Sequence, residues 1–226
     1  MSNPLRICVV GATGLIGRTL IERAVSRTDV RLVGVARREV QLPFGARMEM
    51  LLAEPESWPD AIAASNARVL VCALGTTMKK AGKDEAAFRA VDFDLVVACG
   101  KAAKAAGIEH MIVVSSVGAD VLAKSFYLRT KGQMEEALTR LRLRRLDVVQ
   151  PGLLRGRRLD DPRPLERIGI ALAPLIDLFL DGPRRRFRSI RAEVLADAIF
   201  ALAREKAGGH FVHEHDSLLR AIRRAG

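Results

Sequence analysis

The chain has 226 residues, 49% of them hydrophobic and 28% charged, with a formal net charge of +11. That length suits one sizeable domain burying roughly 70% of its unfolded surface, so no disulfide or metal staple is required. Cys8, Cys72 and Cys99 lie far apart in apolar runs and form no CxxC pair, which marks them as reduced core thiols of a cytoplasmic protein.

The first apolar run ends at Gly11 and is too short for a secretory segment. The longest later one, "IGIALAPLIDLFL" at 168–180, is interrupted by Pro174 and Asp177 and is shorter than the roughly 20 residues a bilayer demands. It reads as a buried or lid helix, and no membrane partner is expected. The charge is carried by 29 arginines and 8 lysines. "PRRRFRSIR" at 183–191 is a candidate polyanion patch, but the arginines run along the whole chain and no helix-turn-helix or zinc-finger motif accompanies them. Phosphorylated metabolites or cofactors are the expected anions rather than nucleic acid.

In chain order, strands are predicted at 5–10, 30–36, 47–53, 68–75, 110–116 and 145–150. Helices are predicted at 14–27, 84–106 and 125–142, with a weaker one near 58–66. Continuous apolar strands alternating with helices imply an α/β fold with a doubly wound, mostly parallel sheet of the Rossmann class, in the order 3-2-1-4-5-6. The segment "RREVQLPFG" between the second and third strands is too short for a crossover helix, so either its loop is spare or the third strand lies elsewhere. One domain is expected over 1–226: a dinucleotide-binding core at 1–152 and a short substrate-side extension at 153–226, where proline and arginine rise.

"RICVVGATGLIGRTLIERA" at 6–24 carries the strongest local signal. A strand runs into Gly11, Gly14 and Gly17 at a spacing of three, and a helix follows. Such glycines allow the tight turn, the approach of backbone to a pyrophosphate and close helix packing, while the helix N-terminus offers N–H groups to phosphate. Where an NAD-binding domain puts an acid at the end of its second strand, this chain has Arg37 and Arg38. A guanidinium pairs with a 2′-phosphate that an acid would repel, which favours NADP(H) over NAD(H).

Tyr127, the chain's one tyrosine, precedes Lys131 by four residues, so the two share a helix face. Lysine beside a phenol favours its ionised form and makes it a better proton donor at neutral pH, as reduction of a carbonyl requires. Ser115 and Ser116 end the fifth strand at the sheet edge where ligands bind.

With "GATGLIGR", "CALGTTMKKAGK", "FRAVDFD", "VVSSVGAD", "YLRTKGQME" and "QPGLLRGRR" in this order over roughly 6–158, the chain resembles the atypical, extended-like short-chain dehydrogenases/reductases. Within them it is most similar to the Tat-interactive-protein-like NADPH-binding oxidoreductases. The resemblance implies Tyr127 as general acid, with Lys131 holding the nicotinamide ribose and tuning it. It also implies Ser116, with Ser115 as the competing choice, on the substrate carbonyl. For the cofactor it implies Gly11, Thr13, Gly14, Leu15 and Ile16 at the phosphates, Ala73, Leu74, Gly75 and Thr76 near the nicotinamide, and Pro151, Gly152, Leu153 and Leu154 capping it. The implied activity is NADP(H)-dependent reduction of a small carbonyl substrate. The rivals are an NADPH-sensing interaction protein without turnover, which would keep the same ribose contacts, and a nucleotide-sugar epimerase or dehydratase, for which the C-terminal part is short. Pairing through the two long helices would give a homodimer, as in many members of that superfamily.

Three further features have plainer readings. His213 and His215, placed on one strand face, lack the spacing and third ligand of a metal site and read as a surface strand end. Lys79, Lys80 and Lys83 read as a solvated loop, and Asp92 as a structural acid on a long helix.

Overall fold

The protein was analysed as a computed structural model, which describes residues 3–156, Asp177 and 180–225. Strands β1 (Leu5–Val10), β2 (Val30–Ala36), β3 (Glu49–Leu52), β4 (Val69–Cys72), β5 (His110–Val114), β6 (Arg145–Val149) and β9 (Gly209–His213) form one sheet. Its order is β3-β2-β1-β4-β5-β6-β9, with every pairing parallel. The predicted six-strand order holds, and β9 extends it beyond β6. Two short strands, β7 (Leu154–Arg155) and β8 (Ile190–Arg191), pair separately.

Both faces of the sheet are covered, which is why its strands read as unbroken apolar runs. Along β1, Ile7 and Val9 face a core shared with α1 (Leu15–Ala24) and the C-terminal helix α6 (Ala192–Leu202). Cys8 and Val10 face the opposite core, with α2 (Trp58–Ala64) and α4 (Val96–Ala105). All three cysteines are free, buried and in that second core. The last helix, α7 (His215–Ala225), buries Leu218 and Ala221 in the first core.

The link from β2 to β3 contains no helix: residues 37–48 run as loop, and β3 pairs in register with Val33 to Ala36. The spare-loop alternative is therefore the observed one. The predicted helix at 84–106 is three pieces: α3 (Glu85–Arg89), a π-helical turn at Ala90–Leu95, and α4. The segment 168–180, read as a buried or lid helix, lies mostly outside the described residues.

The end of β9 departs from its sequence reading. His213 is buried, and its Nε2 donates to Asp147 Oδ1 at 2.7 Å, while His215 opens α7 instead of continuing the strand. Asp147 also accepts from His110 Nε2 at 2.7 Å and from Arg145 Nε and Nη2 at 2.6 and 2.8 Å. Asp147 is fully buried, so its negative charge persists only because these donors outweigh the cost of desolvation. His213 is thus an anchor of the edge strand, since its donor nitrogen is spent on Asp147.

Candidate functional site

The turn after β1 is shaped by what its glycines avoid. Gly11 has φ +90°, and a Cβ there would meet the Ala73 backbone at 2.7 Å. A Cβ on Gly17 would lie 2.3 Å from the Gly11 carbonyl oxygen, so its absence lets α1 start against the turn. Gly14 is different: its Cβ would sit 3.4 Å from Gly11 O and 3.8 Å from Ala73 O, both ordinary contacts. The protein itself does not demand glycine there. Gly14 also caps α1 without a side-chain acceptor, leaving first-turn amides to bind an anion.

Above this turn lie two adjoining cavities along the carboxyl ends of the strands, where the order reverses between β1 and β4. The larger, about 920 Å³, is lined by Gly11, Arg37 and Arg38, with Trp58 and Pro55 from the far wall. Arg37 and Arg38 are exposed and make no ion pair among the described residues. The smaller, about 230 Å³, is lined by Gly14, Leu15 and Ile16 from the turn and by Ala73, Gly75 and Thr76 after β4. Ser115, Tyr127, Lys131 and Leu154 complete its chemical end. Thr13, Arg18 and Leu74 belong to both cavities and join them.

α5 (Phe126–Thr139) presents Tyr127 and Lys131 one turn apart. The half-buried Tyr127 ring packs edge-on against Phe88 of α3, with centroids 5.8 Å apart at 67°. Lys131 is buried, and its Nζ lies 2.9 Å from Asp92 Oδ1. That carboxyl oxygen has no aligned hydrogen-bond donor, so the contact is an ion pair held by charge. The other oxygen, Oδ2, accepts from the Thr76 amide at 2.7 Å. Asp92 therefore ties Lys131 to the loop that walls the cavity, and it does so from a π-helical turn, a distortion frequent at functional sites.

The two serines part company. Ser115 is buried and lines the cavity; its amide donates to Val149 O at 2.7 Å and its hydroxyl donates to Glu135. Ser116 lies outside the lining, with Oγ 3.5 Å from Val117 O. Of the two candidates, Ser115 lines the cavity that Tyr127 and Lys131 line, and Ser116 does not. Among the predicted capping residues, Leu154 lines the cavity, whereas Pro151, Gly152 and Leu153 do not. Gly152 is instead a close crossing: a Cβ would come within 2.5 Å of Arg188 O.

Several contributors escaped the sequence reading. Asp92 is the buried partner of Lys131 rather than a plain structural acid. Lys80 lines the smaller cavity rather than belonging wholly to a solvated loop. Glu135 and Gln150 were not singled out; the signal for Glu135 was its place one further turn beyond Lys131. Arg18, immediately after the glycine triplet, carried the signal of its position alone.

The sequence match agrees with this architecture. Residues 11–160 match a family described as NAD(P)H-binding. The chain is 38% identical over 152 residues to the FMP52 protein of Eremothecium gossypii, covering 66% of each chain. To FMP52-1 of Scheffersomyces stipitis it is 35% identical over 153 residues, covering 66% of this chain and 67% of that protein. The chain thus spans about two thirds of the length of these curated relatives. Among solved structures, the oxidoreductase ylbE from Lactococcus lactis superposes with TM-score 0.67 at 19% identity, over 97% of this chain and 96% of that one. WbmG from Bordetella bronchiseptica, solved with NAD, superposes with TM-score 0.69 at 14% identity, over 100% of this chain and 79% of that one. The cytoplasmic expectation is corrected by the relatives, whose names place them in mitochondria. The match over residues 11–160, the parallel sheet and the glycine turn agree with one another, and the chain belongs to the NAD(P)H-binding family, with a Rossmann fold.

Proposed function

We propose that the protein is an NADPH-dependent reductase of small carbonyl compounds. The observation that carries this reading is the convergence of Tyr127, Lys131 and Ser115 on one small cavity continuous with the glycine turn. The residues present fit a dinucleotide: Gly14 offers an unfilled approach to backbone, and Thr13 and Arg18 stand where the two cavities meet. When bound, the nicotinamide supplies a hydride, a proton with two electrons, to the carbonyl carbon.

The chain's own residues would do the rest. Tyr127 delivers a proton to the carbonyl oxygen, so that hydride and proton together convert C=O to CH–OH. Lys131, held by Asp92, would bind the nicotinamide ribose in the cavity that Tyr127 also lines. The aliphatic walls from Ile16, Ala73 and Leu154 limit water around the reacting atoms. Arg37 and Arg38 line the larger cavity and make no ion pair among the described residues, which favours the 2′-phosphate of NADPH.

The test is Tyr127→Phe, assayed in single turnover with NADPH and a panel of small aldehydes and ketones. It should bind NADPH like the parent while reduction falls by roughly 10²–10⁴. Equal reduction by both proteins would remove the catalytic assignment. NADPH binding with no reduction by the parent would favour a sensor of the dinucleotide.

A further inference from the structure

The serine in the cavity has one hydrogen, and that hydrogen is committed away from the cavity. Ser115 Oγ donates to Glu135 Oε1, and Gln150 Nε2 donates at 2.9 Å to each Glu135 oxygen. Glu135 lies on the same face of α5 as Tyr127 and Lys131, one turn beyond Lys131 and two beyond Tyr127. The carboxyl therefore clamps the ends of β5 and β6 to the helix that carries the proton donor. From α5 it faces the Lys131 ammonium, itself paired with Asp92 of the π-helical turn; from β5 it faces Ser115, and from β6 the neutral Gln150.

Hydrogen-bond accounting then gives two states. An ionised carboxylate only accepts, so it takes the single hydroxyl hydrogen of Ser115, and Oγ has only lone pairs to turn towards the cavity. A protonated Glu135 donates its own O–H to Ser115 Oγ, which frees the serine hydrogen for a carbonyl oxygen in the cavity. We infer that the protonation state of Glu135 decides whether Ser115 donates or accepts in the cavity, and so gates carbonyl reduction. The inference rests on the reductase reading, but the switch itself is a property of the three side chains.

Burial pushes the Glu135 carboxyl above its usual range, against the hydrogen bonds from Ser115 and Gln150 and the charge of Lys131, which pull it down. The protonated state consequently persists to higher pH than for an exposed glutamate. Glu135 is a positioning residue, acting through the serine; Ser115 is the group that would touch substrate.

Two measurements on the full-length protein test this. Infrared difference spectra across pH should show a protonated-carboxyl stretch in the parent that disappears with a midpoint above the ordinary glutamate value of about 4.3. That band should be missing from Glu135→Gln and displaced in Ser115→Ala. A parent whose band disappears with the midpoint of an ordinary exposed glutamate, or lower, would overturn the inference without any variant having to fold. In parallel, kcat/KM for carbonyl reduction at saturating NADPH should fall by about 10² as pH rises through the same midpoint, the loss expected for one donor to the developing oxyanion. In Glu135→Gln that fall should vanish, because the amide N–H₂ can donate to Ser115 at every pH. A parent-like fall in that variant would overturn the gating. Absence of any carbonyl turnover would refute the reductase reading and the gating together, while the infrared titration would still decide whether Glu135 controls the Ser115 proton.

Discussion

Replacing Gly14 and Gly17 by alanine separates what the fold needs from what a dinucleotide needs. At Gly17 the new methyl would lie 2.3 Å from Gly11 O and 2.7 Å from Ala12 Cα, both backbone atoms that cannot rotate away. That is about 1 Å inside ordinary contact, so α1 must retreat, at a cost of about 1–3 kcal/mol, the range for overpacking a tight interior. At Gly14 the nearest atom would be 3.4 Å away, and the backbone, at φ −75° and ψ 171°, suits alanine. The penalty there is only the weaker N-cap, about 1 kcal/mol or less. The Gly14 methyl would nevertheless occupy the side from which a pyrophosphate approaches, so NADPH affinity should drop by at least roughly tenfold, or about 1.4 kcal/mol. Urea denaturation followed by circular dichroism, paired with titration of nicotinamide fluorescence, reads both quantities. Parent-like NADPH affinity in Gly14→Ala would refute the reasoning about the cradle. Parent-like stability in Gly17→Ala would refute the packing argument.

Asp92→Asn leaves the Lys131 ammonium, whose side chain is 4% exposed, without its counterion. A loss of about 3–5 kcal/mol is expected in urea denaturation, and a loss under about 1 kcal/mol would show that the charge finds another partner. Arg37→Glu puts a carboxylate at the rim of the larger cavity. The ratio of NADH to NADPH dissociation constants should shift towards NADH by roughly 10–100-fold, the worth of one charge-assisted contact; an unchanged ratio would mean that Arg37 does not reach the ribose. Asp147 is held below its usual range by His110, His213 and Arg145, so its contribution is present at neutral pH and is lost as pH falls through the folded-state value. The urea midpoint of the parent should fall on acidification below about pH 4, and that of Asp147→Asn, already lowered, should change less in the same window. A variant with the parent's slope would remove Asp147 from the acid response.

The strands of the sheet centre were legible because burial on both faces forces continuous apolar runs: β1 and β2 fall on the predicted 5–10 and 30–36. The glycine turn was legible because its steric demands are local. β9 was misread at its end because "GHFVH" holds two histidines, and nothing nearby in sequence shows that Asp147, 66 residues away, takes one of them. The π-helical turn that aims Asp92 at Lys131 has no residue signature either; it shows only once α5 packs beside it. The choice between Ser115 and Ser116 turned on where β5 stops pairing with β6, which their adjacency could not reveal. Glu135 meets Ser115 from 20 residues away and Gln150 meets Glu135 from 15, so only the folded chain brings the three together.

The proposed reduction requires this crevice to bind NADPH beside Tyr127, the proton donor to the carbonyl oxygen. The most direct measurement is a fluorescence titration of the purified protein with NADPH and, separately, NADH. Saturable binding with clear preference for NADPH, weakened in Gly14→Ala and in Arg37→Glu, is the predicted result. Binding of neither nucleotide would contradict the account and leave Tyr127, Lys131 and Ser115 with no cofactor to work beside.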